Sequence, residues 1–271
     1  MRKPITVSLL LVTSLLLFCC ARVSQAQSLF DDFNVKPINP TKWAGSERDF
    51  GPEAPNEEAT RKIANGKLEI DLTSYGRMDS DSGSAGTANS KLEGIGVTGP
   101  YFWGADVTVK SVKAVGCAAN ATSTRSGARI LGEFFNDGTS SGPGDRTGDI
   151  FAGIESRRDT ITGNHIVGFV GRCTNAGCTT TTTLVFHEFT TVWTKGAAHT
   201  LLIQWVPLAD FFLLQVDLQE DFMASYTVSD TDAPVHFSRQ VGAANSVANC
   251  QSGPRASATI KALFDNVKVF P

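Results

Sequence analysis

Histidine is scarce in this chain: 271 residues contain four, at 165, 187, 199 and 236. They are scattered, and none lies at ligand spacing from a cysteine, so a zinc centre has little to build on. His187-Glu188 lacks the second histidine that a zinc protease places one helical turn further on. A basic excess is also missing. The chain has 24 Lys and Arg against 27 Asp and Glu, a net charge of −3, and that balance argues against nucleic acid as a partner. No stretch carries a helical apolar period of useful length, which excludes helix-bundle and alternating α/β architectures. No Gly-x-Gly-x-x-Gly follows a strand and opens a helix, so the dinucleotide fingerprint is absent. No Pro- or Ser-rich linker divides the chain, and past residue 26 one domain is expected.

The apolar run that does exist is at the N-terminus. Arg2 and Lys3 precede an apolar stretch from Ile5 to Ala21, and Ser24-Gln25-Ala26 supplies small residues for a signal-peptidase cut. Residues 1–26 therefore read as a secretory signal. The run is short for a membrane span, and Phe18 before Cys19 disfavours a lipoprotein site. Removing Arg2, Lys3 and Arg22 leaves 21 basic against 27 acidic residues, a net charge of −6. The expected location is secreted, periplasmic or at the cell surface, with no membrane span after cleavage. Four cysteines remain in the 27–271 domain. Cys173 and Cys178 enclose only Thr-Asn-Ala-Gly, a tight turn, and are paired locally, which leaves Cys117 with Cys250. Free buried thiols are the alternative.

The body of the chain reads as more than ten short strands. Asn65-Gly66 joins 59–64 to 67–74, where Leu68, Ile70 and Leu72 alternate with Lys67, Glu69 and Asp71. Strands follow over 101–115, 128–136, 149–157, 164–172 and 181–189, then a hairpin of 199–206 with 211–218. Short strands are expected near Tyr226 and His236, a loop over 243–255, and a closing strand to residue 270. In that last strand Ile260, Ala262 and Phe264 share one parity while Val267 and Val269 fall on the other, so a bulge is expected at Asp265-Asn266. Asp79-Ser-Asp81-Ser-Gly83 opens like a calcium loop but lacks the closing acid and reads as a solvated loop. Asn120-Ala-Thr122 is a glycosylation sequon. The class is all-β, a sandwich or barrel.

The opening LFDDFN…INPTKW, the hairpin ANGKLEIDL, the paired late strands and the closing ALFDNVKVF together resemble the concanavalin A-like lectin/glucanase superfamily, including laminin-G-like jelly rolls. The resemblance covers most of residues 28–271 and implies a two-sheet antiparallel jelly-roll sandwich with its first and last strands adjacent. It also implies a secreted carbohydrate- or surface-binding domain. A glycoside hydrolase or polysaccharide lyase of the same fold, or a structural adhesive domain, are the alternatives. Glu69-Ile-Asp71-Leu-Thr73 departs from the glucanase signature, because the third acid is missing. Glu133 and Glu155 are the remaining catalytic candidates. They share a face as a close pair if residue 133 opposes residue 153, and a structural ion pair with the arginines that follow Glu155 is the alternative. Tyr101, Trp103 and Trp193, near strand ends, are candidates to stack on sugar rings, with a core role as the alternative for both tryptophans. Arg157 joins them as a ligand-binding candidate. Jelly rolls often hold a structural calcium where the terminal strands meet, which makes Asp32 and Asp265, with Asp31, the metal candidates.

Overall fold

The computed structural model describes residues 28–47, 56–97 and 101–270, and the signal assigned to residues 1–26 lies outside them. Among the described residues fifteen strands carry the fold, and the one helical segment is the 3-10 turn Pro207–Ala209. In chain order the strands are β1 (Ser28–Asp31), β2 (Trp43–Ala44), β3 (Glu57–Ala64), β4 (Lys67–Tyr75), β5 (Ser84–Gly94), β6 (Phe102–Val115), β7 (Arg125–Asn136) and β8 (Asp149–Asp159). They continue as β9 (Gly163–Cys173), β10 (Thr181–Glu188), β11 (Ala198–Val206), β12 (Phe211–Val216), β13 (Glu220–Ser225), β14 (Arg239–Ala248) and β15 (Ser257–Phe270).

The strands make two antiparallel sheets. One has the order β13-β12-β11-β6-β15-β4-β3, with β1 added against β15, and the other has the order β10-β9-β8-β7-β14-β5-β2. The architecture is the expected two-sheet jelly-roll sandwich. Its closure is visible in β15, which runs beside β6 along its length. On its other side β15 pairs first with β4 through Phe264 and then with β1 from Val267. The change of neighbour falls at Asp265-Asn266, where the register slips and Asn266 takes a left-handed φ of 46°. The side chain of Asn266 meets that geometry by donating to Asp106 Oδ2 at 2.8 Å.

The alternating positions of both sheets bury into one core. Leu68, Ile70 and Leu72 of β4 and Leu201, Ile203 and Trp205 of β11 face Ala128 and Ile130 of β7 and Ile154 of β8 across the interior. A bulge at Phe134 turns both Phe134 and Phe135 inward, against Trp205 and Phe212. Asn245 is the polar exception. Buried on β14, it donates to Leu72 O and Ala258 O of the opposite sheet at 3.3 and 3.1 Å, tying the layers at one register.

Both expected disulfides are present. Cys173–Cys178 closes a turn, and Cys117–Cys250 spans 133 residues. The latter sits in a small second core with Val247, Ala248, Ala256 and Ala258.

Two strands depart from the sequence expectation. No strand is expected over β5, and most of β14 falls in the stretch 243–255 expected as loop. They pair with each other in the seven-stranded sheet, β14 between β7 and β5, and β5 between β14 and the two-residue β2. Their sequences, SAGTANSKLEG and RQVGAANSVA, carry few large apolar residues. Bulk arrives from elsewhere: Trp103, fully buried, donates its indole N–H to Gln240 O of β14 at 3.0 Å.

Candidate functional site

The solvent face of the seven-stranded sheet collects most of the chain's unusual side chains. On β7 the even residues Ala128 and Ile130 point inward, so Arg125, Gly127, Arg129, Leu131 and Glu133 point outward. Pairing carries the face across its neighbours. Arg129 lies opposite Glu155 of β8 and Gly242 of β14; Gly127 lies opposite Arg157 and Ala244; Glu133 lies opposite Phe151. β9 adds His165, Val167 and Phe169, and β10 adds Phe186 opposite Phe169 and Glu188 opposite Val167. β5 contributes Asn89, Lys91 and Glu93.

Two kinds of surface lie side by side. The first is aromatic. The rings of Phe151 and Phe169 meet edge to face at 6.4 Å, and Phe186 beside them is 55% exposed. Glycine makes this possible: a Cβ on Gly153 would collide with the Phe169 ring, and one on Gly171 with the Phe151 ring. The rings therefore lie over bare backbone on the neighbouring strand. The second surface is charged. Glu155 is buried, and Arg157 Nε donates to its Oε1 at 2.8 Å. Burial alone would raise the Glu155 carboxyl; Arg157, Arg129 and Arg125 reverse this and hold it below the usual glutamate value. Arg129 reaches the other way, over β14, to donate to Asn89 Oδ1 at 2.6 Å.

Glu133 belongs to a separate cluster on the same face. It is ion-paired with Arg146, and its Oε2 lies 3.0 Å from His236 Nδ1. The other nitrogen of His236 lies 3.2 Å from Glu93 Oε1. Both ring nitrogens thus face carboxylates, the arrangement of an imidazolium. The bond to Glu133 raises the His236 pKa above its ordinary value.

The catalytic pairing of Glu133 with Glu155 is corrected by the register. Residue 133 opposes 151, not 153, so the two glutamates share the face but stand four residues apart along the strands. At about 3.4 Å per residue that is roughly 14 Å, beyond the carboxylate separations of retaining and inverting glycosidases. Each acid also has its own arginine.

Trp103 and Trp193 are likewise corrected. They are 0% and 2% exposed, and their indole N–H groups donate to Gln240 O and Arg157 O. They fill the interior and offer no ring to a ligand. Tyr101 is 41% exposed but stacks on Trp205 at 5.7 Å, away from the face just described. Arg157 is on that face.

The metal candidates are occupied by protein partners. Asp265 is paired with Lys67 at 2.6 Å, Asp32 binds the backbone and side chain of Asn34, and Asp31 accepts the indole N–H of Trp43 at 2.7 Å. These residues do not fit a calcium cage as they stand. Among the described residues the one cluster of metal-capable groups is Asp81 with Cys117 and Cys250, whose sulfurs are bonded to each other. Asp81 instead accepts the backbone N–H groups of Gln251 and Ser252 at 2.7 and 3.0 Å.

Gly138-Thr139-Ser140-Ser141-Gly142 spells a hydrolase nucleophile motif, but it lies in the β7–β8 loop. The Ser140 hydroxyl donates to Asp145 O at 2.6 Å, so neither the strand-to-helix elbow nor a histidine partner is in place.

Arg125, Arg129, Phe151, Phe169 and Phe186 are the residues that motif reasoning passes over. The signal that finds them is parity. Along 125–133 every odd residue is charged or lacks a large ring, while the even residues between 128 and 134 fit the interior.

No protein-family description and no curated protein matches this sequence. Solved structures of similar architecture include a GlcNAcα1-4Gal-releasing endo-β-galactosidase from Clostridium perfringens (10% identity, TM-score 0.44, 90% of this chain and 64% of that one). They also include the LamA catalytic domain from Zobellia galactanivorans (12%, 0.41, 89% and 96%) and the carbohydrate-binding module CBM66 from Bacillus subtilis (13%, 0.33, 83% and 93%). The chain spans less than two thirds of the endo-β-galactosidase. These likenesses concern the two-sheet fold alone. Among the described residues no helix is long and apolar enough to cross a membrane.

Proposed function

We propose that the protein is an exported, non-catalytic carbohydrate-binding domain, and that the solvent face of its seven-stranded sheet is the binding surface. One observation carries this reading: on that face an aromatic row, Phe151, Phe169 and Phe186, lies beside a row of fixed polar groups, Asn89, Arg129, Glu155 and Arg157. A sugar ring has the matching duality, an apolar C–H face and a polar rim of hydroxyls. Flat rings supply contact area, while bonded arginine and glutamate side chains present donors and acceptors already held in place, which lowers the ordering cost of binding. The two disulfides suit an oxidising compartment, and the reading of residues 1–26 as a secretory signal supports export.

The test is a glycan array probed with the purified, disulfide-intact protein, repeated with Phe169→Ala and Phe186→Ala. The expected result is a set of bound glycans that both variants lose. Glycan binding that survives both substitutions, or no glycan bound at all, contradicts the assignment.

A further inference from the structure

The charged groups of the face are not equally satisfied. Glu155 and Asp159 are used up, while Glu188 stands exposed on the edge strand β10. Glu155 is held by Arg157. Asp159 accepts the backbone N–H groups of Ile161 and Thr162 at 2.7 and 2.6 Å and the Thr162 hydroxyl at 2.7 Å, and it pairs with His165 at 3.5 Å. Two of the cations are not. The Arg129 side chain makes a single hydrogen bond, to the neutral amide of Asn89, and the Arg125 side chain makes no hydrogen bond or ion pair with any described residue. Each guanidinium carries five N–H donors in a planar fork. The two residues stand on one strand, on one face, with only Gly127 between them on that face.

Gly127 matters because a Cβ there would collide with the Glu155 carboxylate. Bare backbone lets Glu155 lean into the gap between the two arginines, where it keeps their charges apart. Gly242 and Ala244 of β14, opposite Arg129 and Gly127, leave a low floor on the other side. Burial holds the Arg129 guanidinium below the ordinary arginine range, with Arg125 and Arg157 pushing the same way against the opposing pull of Glu155. A half-buried cation whose one hydrogen-bond partner is neutral is the kind of group that an incoming anion stabilises.

We infer that the glycan recognised on this face is acidic, its carboxylate or sulfate ester bound by Arg129 and Arg125 while the sugar ring lies towards Phe169 and Phe186. This rests on the carbohydrate reading above. The ligand chemistry is a planar or tetrahedral oxyanion on a sugar, which the fork of a guanidinium matches with paired bonds. General attraction does not account for such binding, because the chain as a whole has more acidic than basic residues.

The experiment titrates the disulfide-intact protein with polygalacturonate, its fully methyl-esterified form, dextran sulfate and uncharged dextran, at low and moderate salt. A charged polymer is expected to bind at least about tenfold more tightly than its uncharged counterpart, the effect of one charge-assisted bond. That preference should weaken with salt and fall by a similar factor in Arg129→Gln and in Arg125→Gln. Preference for polygalacturonate over dextran sulfate identifies a carboxylate as the anion, and the reverse identifies a sulfate. Arg125 is exposed, so its variant serves if Arg129→Gln does not fold. Charged and uncharged polymers bound equally, with both arginine variants unchanged and Phe186→Ala inactive, overturn the acidic assignment and leave the carbohydrate reading standing. A wild-type protein that binds none of the polymers, and no glycan on the array, overturns both.

Discussion

At the scale of single residues, His236 and Asn120 each show a side chain whose role follows from its partners. His236 spans Glu133 and Glu93, with Arg146 on the far side of Glu133. The hydrogen bond to Glu133 raises its folded-state pKa. Stability from this clamp is therefore complete below the unfolded histidine value near 6.5 and is lost as pH rises through the raised folded value. We expect the melting temperature of the wild type to fall over that window relative to His236→Gln, measured by scanning calorimetry in steps from pH 6 to 9; parallel curves would show that the clamp does not couple to stability. Asn120 reads in the sequence as a glycosylation site, yet it is buried and its amide donates to Gly83 O and Asn249 O, both at 2.9 Å. A glycan on that nitrogen replaces one of its two N–H donors and leaves one of the two carbonyls without its partner. Intact mass from a glycosylating host is expected to show Asn120 unmodified in the folded protein, and Asn120→Ala should cost about 1–3 kcal/mol in denaturant unfolding. Quantitative glycosylation without loss of stability would contradict this.

At the scale of strands, register and parity decide what the side chains do together. Gly127 on β7 is the clearest case. Ala at this position pushes the Glu155 carboxylate away from Arg157. Gly127→Ala should therefore lower both stability, by roughly 1–3 kcal/mol, and glycan affinity, whereas Ala244→Gly on the neighbouring strand should leave the Glu155–Arg157 pair intact. Calorimetry and titration on the two variants check this, and a fully active, fully stable Gly127→Ala would sink it. Much of this layer was legible in the sequence. Leu68, Ile70 and Leu72 marked β4 by alternation, Asn65-Gly66 marked its turn, and the parity break at Asp265-Asn266 located the bulge in β15. β5 and β14 were not legible, because their inward positions are mostly small or polar: Trp103 packs against them, and Asn245 makes its bonds across the core. For Glu133 and Glu155 the sequence left both the shared face and the spacing to the register, since the pairing across the 137–148 loop is set by that loop and by the bulge at Phe134. For Trp103 and Trp193 the sequence offered only a position near a strand end, which a core and a rim residue share.

At the scale of the whole molecule, the two sheets are joined by one apolar interior and by a covalent tie at one end. Cys117 follows β6 of one sheet and Cys250 follows β14 of the other, so their disulfide crosses the sandwich and closes a long loop. Replacing both by serine should cost roughly 2–5 kcal/mol, read as a lower urea midpoint, while the same change at Cys173 and Cys178, which close a turn of a few residues, should cost much less. Equal effects would contradict this account of how the layers are held. The fold as such places no ligand, since each sheet presents one face to solvent. What singles out the seven-stranded sheet is its set of buried charges, bare glycines and exposed rings, and the direct test is where a ligand protects the backbone. Hydrogen–deuterium exchange should be measured on the intact protein, free and saturated with the tightest-binding saccharide from the array. The account predicts added protection in β7, β8 and β9, centred on residues 125–131, 151–157 and 165–171. Protection confined to β3, β4 and β15 on the opposite sheet, with these segments unchanged, would contradict it.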